Sequence, residues 1–439
     1  MIHAYQLHGR HIIIDVHSGS VHVVDSAACE AVVKYPAFDF TGAEDLRDEI
    51  QALVNQKKLF APALEIPVKK SGNLKAMCLH VAHTCNLTCD YCFAQAGRYH
   101  GAAALMPLET GKRAIDFLAA NAGGHRNLDV DFFGGEPLMN WPVVKALAAY
   151  ARGLEHETGK RFRFTLTTNG LLLDDEVTAF CNREMQNVVL SLDGRREVHD
   201  RLRRTVDGRG SYDIVVPKFQ KFVRQRGNRG CYIRGTFTHA NPDFTRDLYH
   251  MADLGFQALS MEPVVCGPES PHALTKDDLQ IVKQAYEALA LEMARRRGAP
   301  DAFSFYHFNL DLARGPCIHK RAAGCGVGTD YVAVTPAGEL YPCHQFVGEE
   351  QFRLGDVWQG ITRPEIRAEF AACNLYSKPA CGECWAKYYC AGGCPANAYH
   401  AGGSIHGVYE DGCELFRKRM ECAIWLQTGG SGQGTGGRV

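Results

Sequence analysis

The sequence predicts an α/β protein built on a partial (β/α)6 barrel of the TIM type, with a winged-helix-like unit before it and a cysteine-rich unit after it. Three observations predict this. Strand-like and helix-like segments alternate about six times over residues 74–310; a hairpin pattern and two short helices occupy residues 1–70; and cysteine, glycine and proline rise together over residues 315–425. At 439 residues the chain has room for two to four domains with a sizeable buried core.

In the first unit, HIIIDVHSGSVHVVD alternates apolar and polar residues on both sides of Ser18, Gly19 and Ser20, the pattern of a β-hairpin. Two helices follow, near Ser26–Lys34 with Asp25 or Ser26 as cap, and near Ala43–Gln56 with Thr41 as cap. Such a unit leaves a strand edge that a peptide can join as an extra strand. Pro62 and the polar stretch Lys69–Asn73 mark a linker.

In the second unit, strands are expected at Ala76–Ala82, Leu128–Phe133, Phe162–Thr168, Asn187–Leu192, Cys231–Thr238 and Ala258–Pro263. Helices fall between them at Glu109–Asn121, Pro142–Leu154, Asp175–Cys181, Tyr212–Arg226, Thr245–Leu254 and Lys276–Arg297. One sheet with helical crossovers implies parallel strands, right-handed connections and functional residues at the strands' C-terminal ends. The third unit is poor in apolar residues, so metal cross-links are expected to replace a core of its own. Gly429 onward reads as a flexible tail.

Lys plus Arg number 48 and Asp plus Glu 49, a formal charge of −1, which argues against a polyanion such as nucleic acid as partner. The basic clusters Arg195/Arg196, Arg201/Arg203/Arg204 and Arg295–Arg297 are broken by acids and apolar residues and read as solvated faces. No apolar run is long enough to span a membrane and the N-terminus is unlike a secretion signal, so a reduced, cytoplasmic location is expected. In that setting the eighteen cysteines call for metal or redox chemistry. Three lie in Cys85–Cys92 and nine in Cys317–Cys413; the scattered Cys29, Cys78, Cys181, Cys231, Cys266 and Cys422 read as small core residues.

The first expected barrel strand runs into HTCNLTCDYCFAQ, with Cys85, Cys89 and Cys92 spaced x3 then x2. A [4Fe–4S] cubane takes four thiolates, so three on one loop leave one iron open for a ligand. Zinc fits less well: it wants four ligands, usually in CxxC pairs, and His83 precedes Cys85 by only two residues.

CxxxCxxC with Tyr91 before its last cysteine resembles the loop of radical S-adenosylmethionine (AdoMet, SAM) enzymes. FFGGEP (Phe132–Pro137), TLTTNG (Thr165–Gly170) and LSLDG (Leu190–Gly194), each ending an expected strand, resemble that family's further motifs. The resemblance implies that the open iron chelates the amino and carboxylate groups of AdoMet, and that reductive cleavage yields a 5′-deoxyadenosyl radical that takes hydrogen from substrate. It also implies cofactor contacts from Tyr91, Phe93, Gly134, Gly135, Glu136, Thr168, Asn169, Ser191, Asp193 and Arg203. In this reading Glu136 accepts from the AdoMet ammonium, Thr168, Asn169, Ser191 and Asp193 face the ribose and carboxylate, and Arg203 meets the carboxylate.

Later cysteines run Cys317-x7-Cys325-x12-Gly338-x4-Cys343, then Cys381-x2-Cys384-x5-Cys390-x3-Cys394, and Cys413 eighteen residues on. A zinc ribbon accounts for four such positions, not eight. The pattern resembles the SPASM extension of radical SAM peptide-modifying enzymes, with two auxiliary [4Fe–4S] clusters and three in all. The resemblance assigns Cys317, Cys325, Cys343 and Cys394 to auxiliary cluster I, and Cys381, Cys384, Cys390 and Cys413 to auxiliary cluster II. Cys373 is left structural. If Cys317 does not bind, cluster I keeps an open iron for a substrate thiolate.

HGRHIIIDVHSGSVHVVD, CLHVAHTCNLTCDYCFA and YPCHQFVGE resemble maturases of "six cysteines in forty-five residues" (SCIFF) peptides. That implies thioether formation between a cysteine sulfur and an acceptor carbon in a Cys-rich ribosomal precursor (sactipeptide or ranthipeptide maturation). Residues 1–70 would be a PqqD-like RiPP recognition element holding the leader, and a flavodoxin or ferredoxin the reductant. An anaerobic sulfatase maturase, oxidising Cys or Ser to formylglycine, is the alternative; that class has an aspartate where this chain has His344. An iron–sulfur electron carrier, which would not cleave AdoMet, is the non-enzyme alternative.

Overall fold

The computed structural model describes residues 1–63, 66–68, 72–312 and 320–429. Part of the linker (Lys69–Ser71), Cys317 and the tail beyond Gly429 lie outside the described residues.

The first unit is a three-stranded antiparallel sheet, β1 (Ile2–Leu7), β2 (Arg10–Asp15) and β3 (Val21–Val24), followed by α1 (Ser26–Val33) and α2 (Glu44–Asn55). The expected hairpin is β2–β3, with Ile12 opposite Val23; the edge strand β1 was not read from the sequence. Asp25 caps α1 by accepting from the Ala28 amide, but α2 starts at Ala43 without a side-chain cap. Thr41 instead donates to Asp39 at 2.7 Å. Strand alternation buries both faces: Ile13 packs with Val32 and Ile50 of the unit's own helices, while Ile12 and Ile14 join the main core.

The barrel strands are β4 (Ala76–His83), β7 (Asn127–Gly134), β8 (Arg161–Thr168), β9 (Met185–Ser191), β11 (Gly230–Phe237) and β12 (Ala258–Pro263). They lie side by side in sequence order and pair in parallel, as the βα alternation predicts. Short strands β5 (Leu87–Cys89) and β10 (Arg203–Thr205) pair apart from this sheet, and β6 (Ala104–Leu105) pairs with β4. Among the described residues β4 and β12 do not pair, so the sheet stays open. The main connecting helices are α3 (Leu108–Ala120), α4 (Trp141–Thr158), α5 (Asp175–Glu184), α6 (Arg196–Leu202), α7 (Tyr212–Arg226), α8 (Phe244–Asp253) and α9 (Lys276–Arg295). Along β7, Leu128, Val130 and Phe132 are fully buried on one face, leaving Asp131 and Phe133 on the other.

The cysteine-rich unit is not an island held by metal alone. Its strand β14 (Tyr331–Val334) joins β4 in parallel, and β15 (Glu339–Tyr341), β16 (Gly355–Asp356) and β17 (Gly360–Ile361) extend the same sheet; β13 (Ser304–Phe305) ends its other side. Phe346, Phe352, Leu354 and Phe370 belong to the barrel's own hydrophobic core, so the expected lack of a core is corrected by sharing one. Of the scattered cysteines, Cys78, Cys181 and Cys422 are core residues, whereas Cys29, Cys231 and Cys266 are only half-buried. The long C-terminal helix (Glu410–Gln427) packs along α9 and touches β1, where Tyr5 donates to the Glu421 carbonyl at 2.9 Å.

Candidate active site

One cavity of about 600 Å³ opens at the C-terminal ends of the barrel strands. Cys85, Cys89 and Cys92 line one end, and Cys390, Cys394 and Cys413 line the wall contributed by the cysteine-rich unit. Tyr91, Phe93, Gly134, Gly135, Thr168, Asn169, Ser191 and Arg203 also line it.

The first cysteine loop is shaped by backbone contact. Gly135 N–H donates to the Ala82 carbonyl at 2.8 Å and Glu136 N–H to the Thr84 carbonyl at 3.0 Å. A β carbon on Gly134 would sit 2.2 Å from the Ala82 oxygen, and Gly134 has a φ of +126°, so only glycine fits. β5 pairs with β10, setting Cys89 opposite Arg203, a brace that three-residue strands do not announce in sequence. The Asn169 side chain donates to Asn86 at 2.8 Å and approaches Cys85 Sγ at 3.6 Å.

Glu136 and Asp193 lie behind the cavity's lining. Both are fully buried and neither lines the cavity. Glu136 sits behind the wall, accepting from Thr168 Oγ1 at 2.8 Å, the Asn169 amide at 2.8 Å and the Leu138 amide at 3.0 Å. Burial pushes its carboxyl up to about 7, against the pull of those hydrogen bonds. Asp193 accepts from Tyr91 Oη and Arg203 Nε, each at 2.8 Å, and from the Thr236 amide at 2.9 Å. Both carboxylates therefore hold cavity-lining residues in place. Arg203 is paired, not solvated, and lies 5.4 Å from the Tyr91 ring centroid.

Burial pushes the Cys85 thiol up to about 11 and the Cys89 thiol up to about 12. As free thiols they hold their protons; binding to iron removes them. His83 does not line the cavity, and its Nε2 meets His80 Nδ1 at 3.1 Å in the interior.

The later cysteines gather in two sets. Cys343 has Cys394 and Cys325 as charge neighbours; Cys390 has Cys413, Cys381 and Cys384. Cys373 has Cys394 and Cys381 as charge neighbours, but its thiol donates to the Ile405 carbonyl at 3.0 Å. His344 lines the cavity beside Phe93 and Phe133, with ring centroids 5.7 and 5.3 Å away. Motif reading missed Arg234 and Glu262, which line the cavity from the C-terminal halves of β11 and β12. The rule that barrel chemistry sits at strand C-termini pointed to both positions. Glu262 is flanked by His307 at 3.2 Å and Arg419 at 3.6 Å.

Residues 79–252 match the profile described as the Radical SAM superfamily. Over that stretch the chain is similar to radical SAM superfamily enzymes. It is 19% identical to the radical SAM cyclopropyl synthase TigE of Paramaledivibacter caminithermalis, over 80% of this chain and 74% of that one. It is 24% identical to the serine-type anaerobic sulfatase-maturating enzyme of Klebsiella aerogenes, over 73% and 80%. It is 25% identical to the antilisterial bacteriocin subtilosin biosynthesis protein AlbA of Bacillus subtilis, over 63% and 56%. The fold resembles native anSMEcpe with bound AdoMet and Kp18Cys peptide, at a TM-score of 0.66 and 18% identity, covering 81% of this chain and 98% of that one. It also resembles Streptococcus suis SuiB bound to S-adenosylmethionine, at a TM-score of 0.57 and 16% identity, covering 94% and 98%.

The superfamily implies a [4Fe–4S] cluster and AdoMet. The residues fit: three thiols on one loop face a cavity, and paired glycines bring backbone to its rim where a side chain would collide. Among the described residues no three His, Cys, Asp or Glu side chains converge as for a single metal ion. Among the same residues no helix is long and apolar enough to cross a membrane.

Proposed function

We propose that this protein is a radical SAM enzyme, a SCIFF-type peptide maturase that forms thioether links from cysteine sulfur to carbon in a Cys-rich ribosomal precursor. The observation that carries this reading is the single cavity bordered by the first cysteine triad and by members of both later cysteine sets. A substrate side chain in it lies between the AdoMet site and the auxiliary centres. Relatives named for bacteriocin biosynthesis and sulfatase maturation, and a structural neighbour holding a peptide, support a peptide substrate.

Bound at the triad, cluster and AdoMet supply a hydrogen-abstracting carbon radical. Cys85, Cys89 and Cys92 hold the cluster and leave one iron open. Gly134 and Gly135 let backbone reach the AdoMet amino group, while Thr168, Asn169, Ser191 and Arg203 line its ribose and carboxylate. Tyr91 and Arg203 are fixed by Asp193, and Thr168 and Asn169 by Glu136, so the pocket is ordered before a ligand arrives. Cys325, Cys343 and Cys394, with Cys317, hold auxiliary cluster I; Cys381, Cys384, Cys390 and Cys413 hold auxiliary cluster II. Loaded with iron, these two cysteine sets would offer an acceptor for the electron released on C–S bond formation, and a flavodoxin or ferredoxin would be the reductant that supplies the AdoMet-binding cluster. The leader joins residues 1–70 as an added strand; the partly exposed edge strand β3, with Val23 half exposed, suits that role.

The test is anaerobic incubation of the reconstituted enzyme with AdoMet, dithionite and a Cys-rich precursor from its gene neighbourhood. Loss of two hydrogens, loss of an alkylatable thiol and blocked fragmentation inside a loop are expected. The sulfatase-maturase reading has its own support in the Klebsiella relative. It predicts a carbonyl that reacts with hydrazides and full fragmentation, with loss of two hydrogens where serine is oxidised and, where cysteine is oxidised, exchange of sulfur for oxygen as well.

A further inference from the structure

Lys378 is buried in the cysteine-rich unit with 3% of its surface exposed. Its Nζ is sealed from solvent and has no hydrogen-bond partner among the described residues. Lysine normally carries its ammonium to water on a flexible stem, and burying one without a compensating anion is costly. An unpaired interior cation therefore marks a place where negative charge is expected.

The surroundings say which charge. Lys378 immediately precedes the four-residue helix Pro379–Gly382, which carries Cys381. The ammonium is within electrostatic reach of the thiols of Cys381, Cys394 and Cys373. Cys381 belongs to one later cysteine set and Cys394 to the other. No salt bridge to Lys378 occurs among the described residues. Protonated thiols give the ammonium nothing to pair with; thiolate-ligated iron–sulfur centres, which are anionic, do. The orphaned Nζ thus fits metal-loaded cysteine sets better than empty ones.

We infer that Lys378 is the built-in counter-cation of the two auxiliary clusters, set between them and raising their reduction potentials. The inference rests on the two-cluster reading given above. Net charge around a cluster is one of the levers on its potential, and a nearby cation favours the reduced, more negative state. With Lys378 in place the auxiliary centres are better electron acceptors for the surplus electron of the proposed bond-forming step. Lys378 is a positioning residue for charge and does not touch substrate.

The test is an EPR-monitored redox titration of the reconstituted full-length protein, with iron counted per chain, on wild type, Lys378→Met and Lys378→Arg. Met keeps the length and packing of the stem; Arg keeps the charge. Lys378→Met is expected to raise the oxidised-to-reduced ratio of the auxiliary clusters about tenfold at fixed potential, equal to a drop of about 59 mV for a one-electron couple. Lys378→Arg is expected to restore most of it, and the AdoMet-binding cluster to stay unchanged as internal control. Loss of auxiliary iron from the Met variant alone also supports the charge role. Auxiliary potentials equal to wild type in Lys378→Met, or the same loss in both variants, overturns it. Wild type holding only about four irons per chain overturns the two-cluster reading itself, a result distinct from unchanged potentials.

Discussion

Gly135 passes so close to Thr84 that a β carbon on it would lie 2.2 Å from the Thr84 carbonyl oxygen, with the Thr84 carbon at 2.7 Å and Gly97 Cα at 2.9 Å. All three contacts are backbone, which cannot swing aside. The end of β7 and the first cysteine loop are therefore one unit, and the loop's shape depends on the absence of a side chain. Gly135→Ala is expected to push the loop off its position and lose roughly four irons per chain after anaerobic reconstitution, with the auxiliary irons kept. Iron analysis checks this, and a full complement would show that the loop tolerates displacement.

Asp193 is fully buried and holds Arg203, whose side chain is 12% exposed, together with the Tyr91 hydroxyl. Removing one partner of a buried pair leaves the other charge uncompensated. Asp193→Asn is expected to destabilise the protein by about 3 kcal/mol in an anaerobic urea titration. The double change with Arg203→Met should recover much of that loss, because the orphaned charge goes too. Additive losses would mean that the two side chains do not depend on each other.

His199 supplies a pH dependence whose sign follows from its partners. Ser211 Oγ donates to the Arg203 carbonyl at 2.7 Å, so its oxygen is free to accept from His199 Nε2 at 2.9 Å. His199 Nδ1 accepts from the Asp193 amide at 3.3 Å, which fixes the neutral tautomer. Burial lowers the imidazole to about 4. The neutral form is favoured in the fold, so its stabilisation is complete above the unfolded value near 6.5 and is lost as pH falls toward 4. By pH 5 the loss amounts to about 2 kcal/mol from this group. His83, His307 and His344, also lowered to about 4, act in the same direction. His199→Gln should flatten part of the stability–pH slope between pH 7.5 and 5; an unchanged slope would mean that His199 titrates alike in the folded and unfolded states.

The six barrel strands were legible because a parallel sheet covered on both sides keeps a strong apolar period, and their order followed from βα alternation. The first triad was legible because its chemistry forces the cysteines onto one short loop. Three kinds of feature were not. β5 and β10 are too short for any period, yet their pairing fixes Cys89 opposite Arg203. That Glu136 and Asp193 lie buried behind the cavity's lining is not visible in the sequence, where a strand-end carboxylate looks the same at either depth. The union of the cysteine-rich unit with the barrel depends on β14 joining β4, a long-range pairing that local pattern does not encode.

Cys373 tests the division of the later cysteines. Its thiol donates to the Ile405 carbonyl and it lies in the main hydrophobic core, so Cys373→Ala is expected to cost about 1 kcal/mol with iron content unchanged. Cys390→Ala, at a cavity-lining position with three thiol neighbours, is expected to lose iron. Iron loss from the first variant, or none from the second, would redraw the two sets.

The most direct measurement of the central claim is 5′-deoxyadenosine formed by the anaerobically reconstituted protein with AdoMet and dithionite, beside the triple variant Cys85→Ala, Cys89→Ala, Cys92→Ala. Wild type is expected to release 5′-deoxyadenosine, and the variant to release none while retaining roughly eight of twelve irons. A wild-type protein carrying its full iron complement yet leaving AdoMet intact, or a triple variant with undiminished iron, would contradict the assignment of those three thiolates.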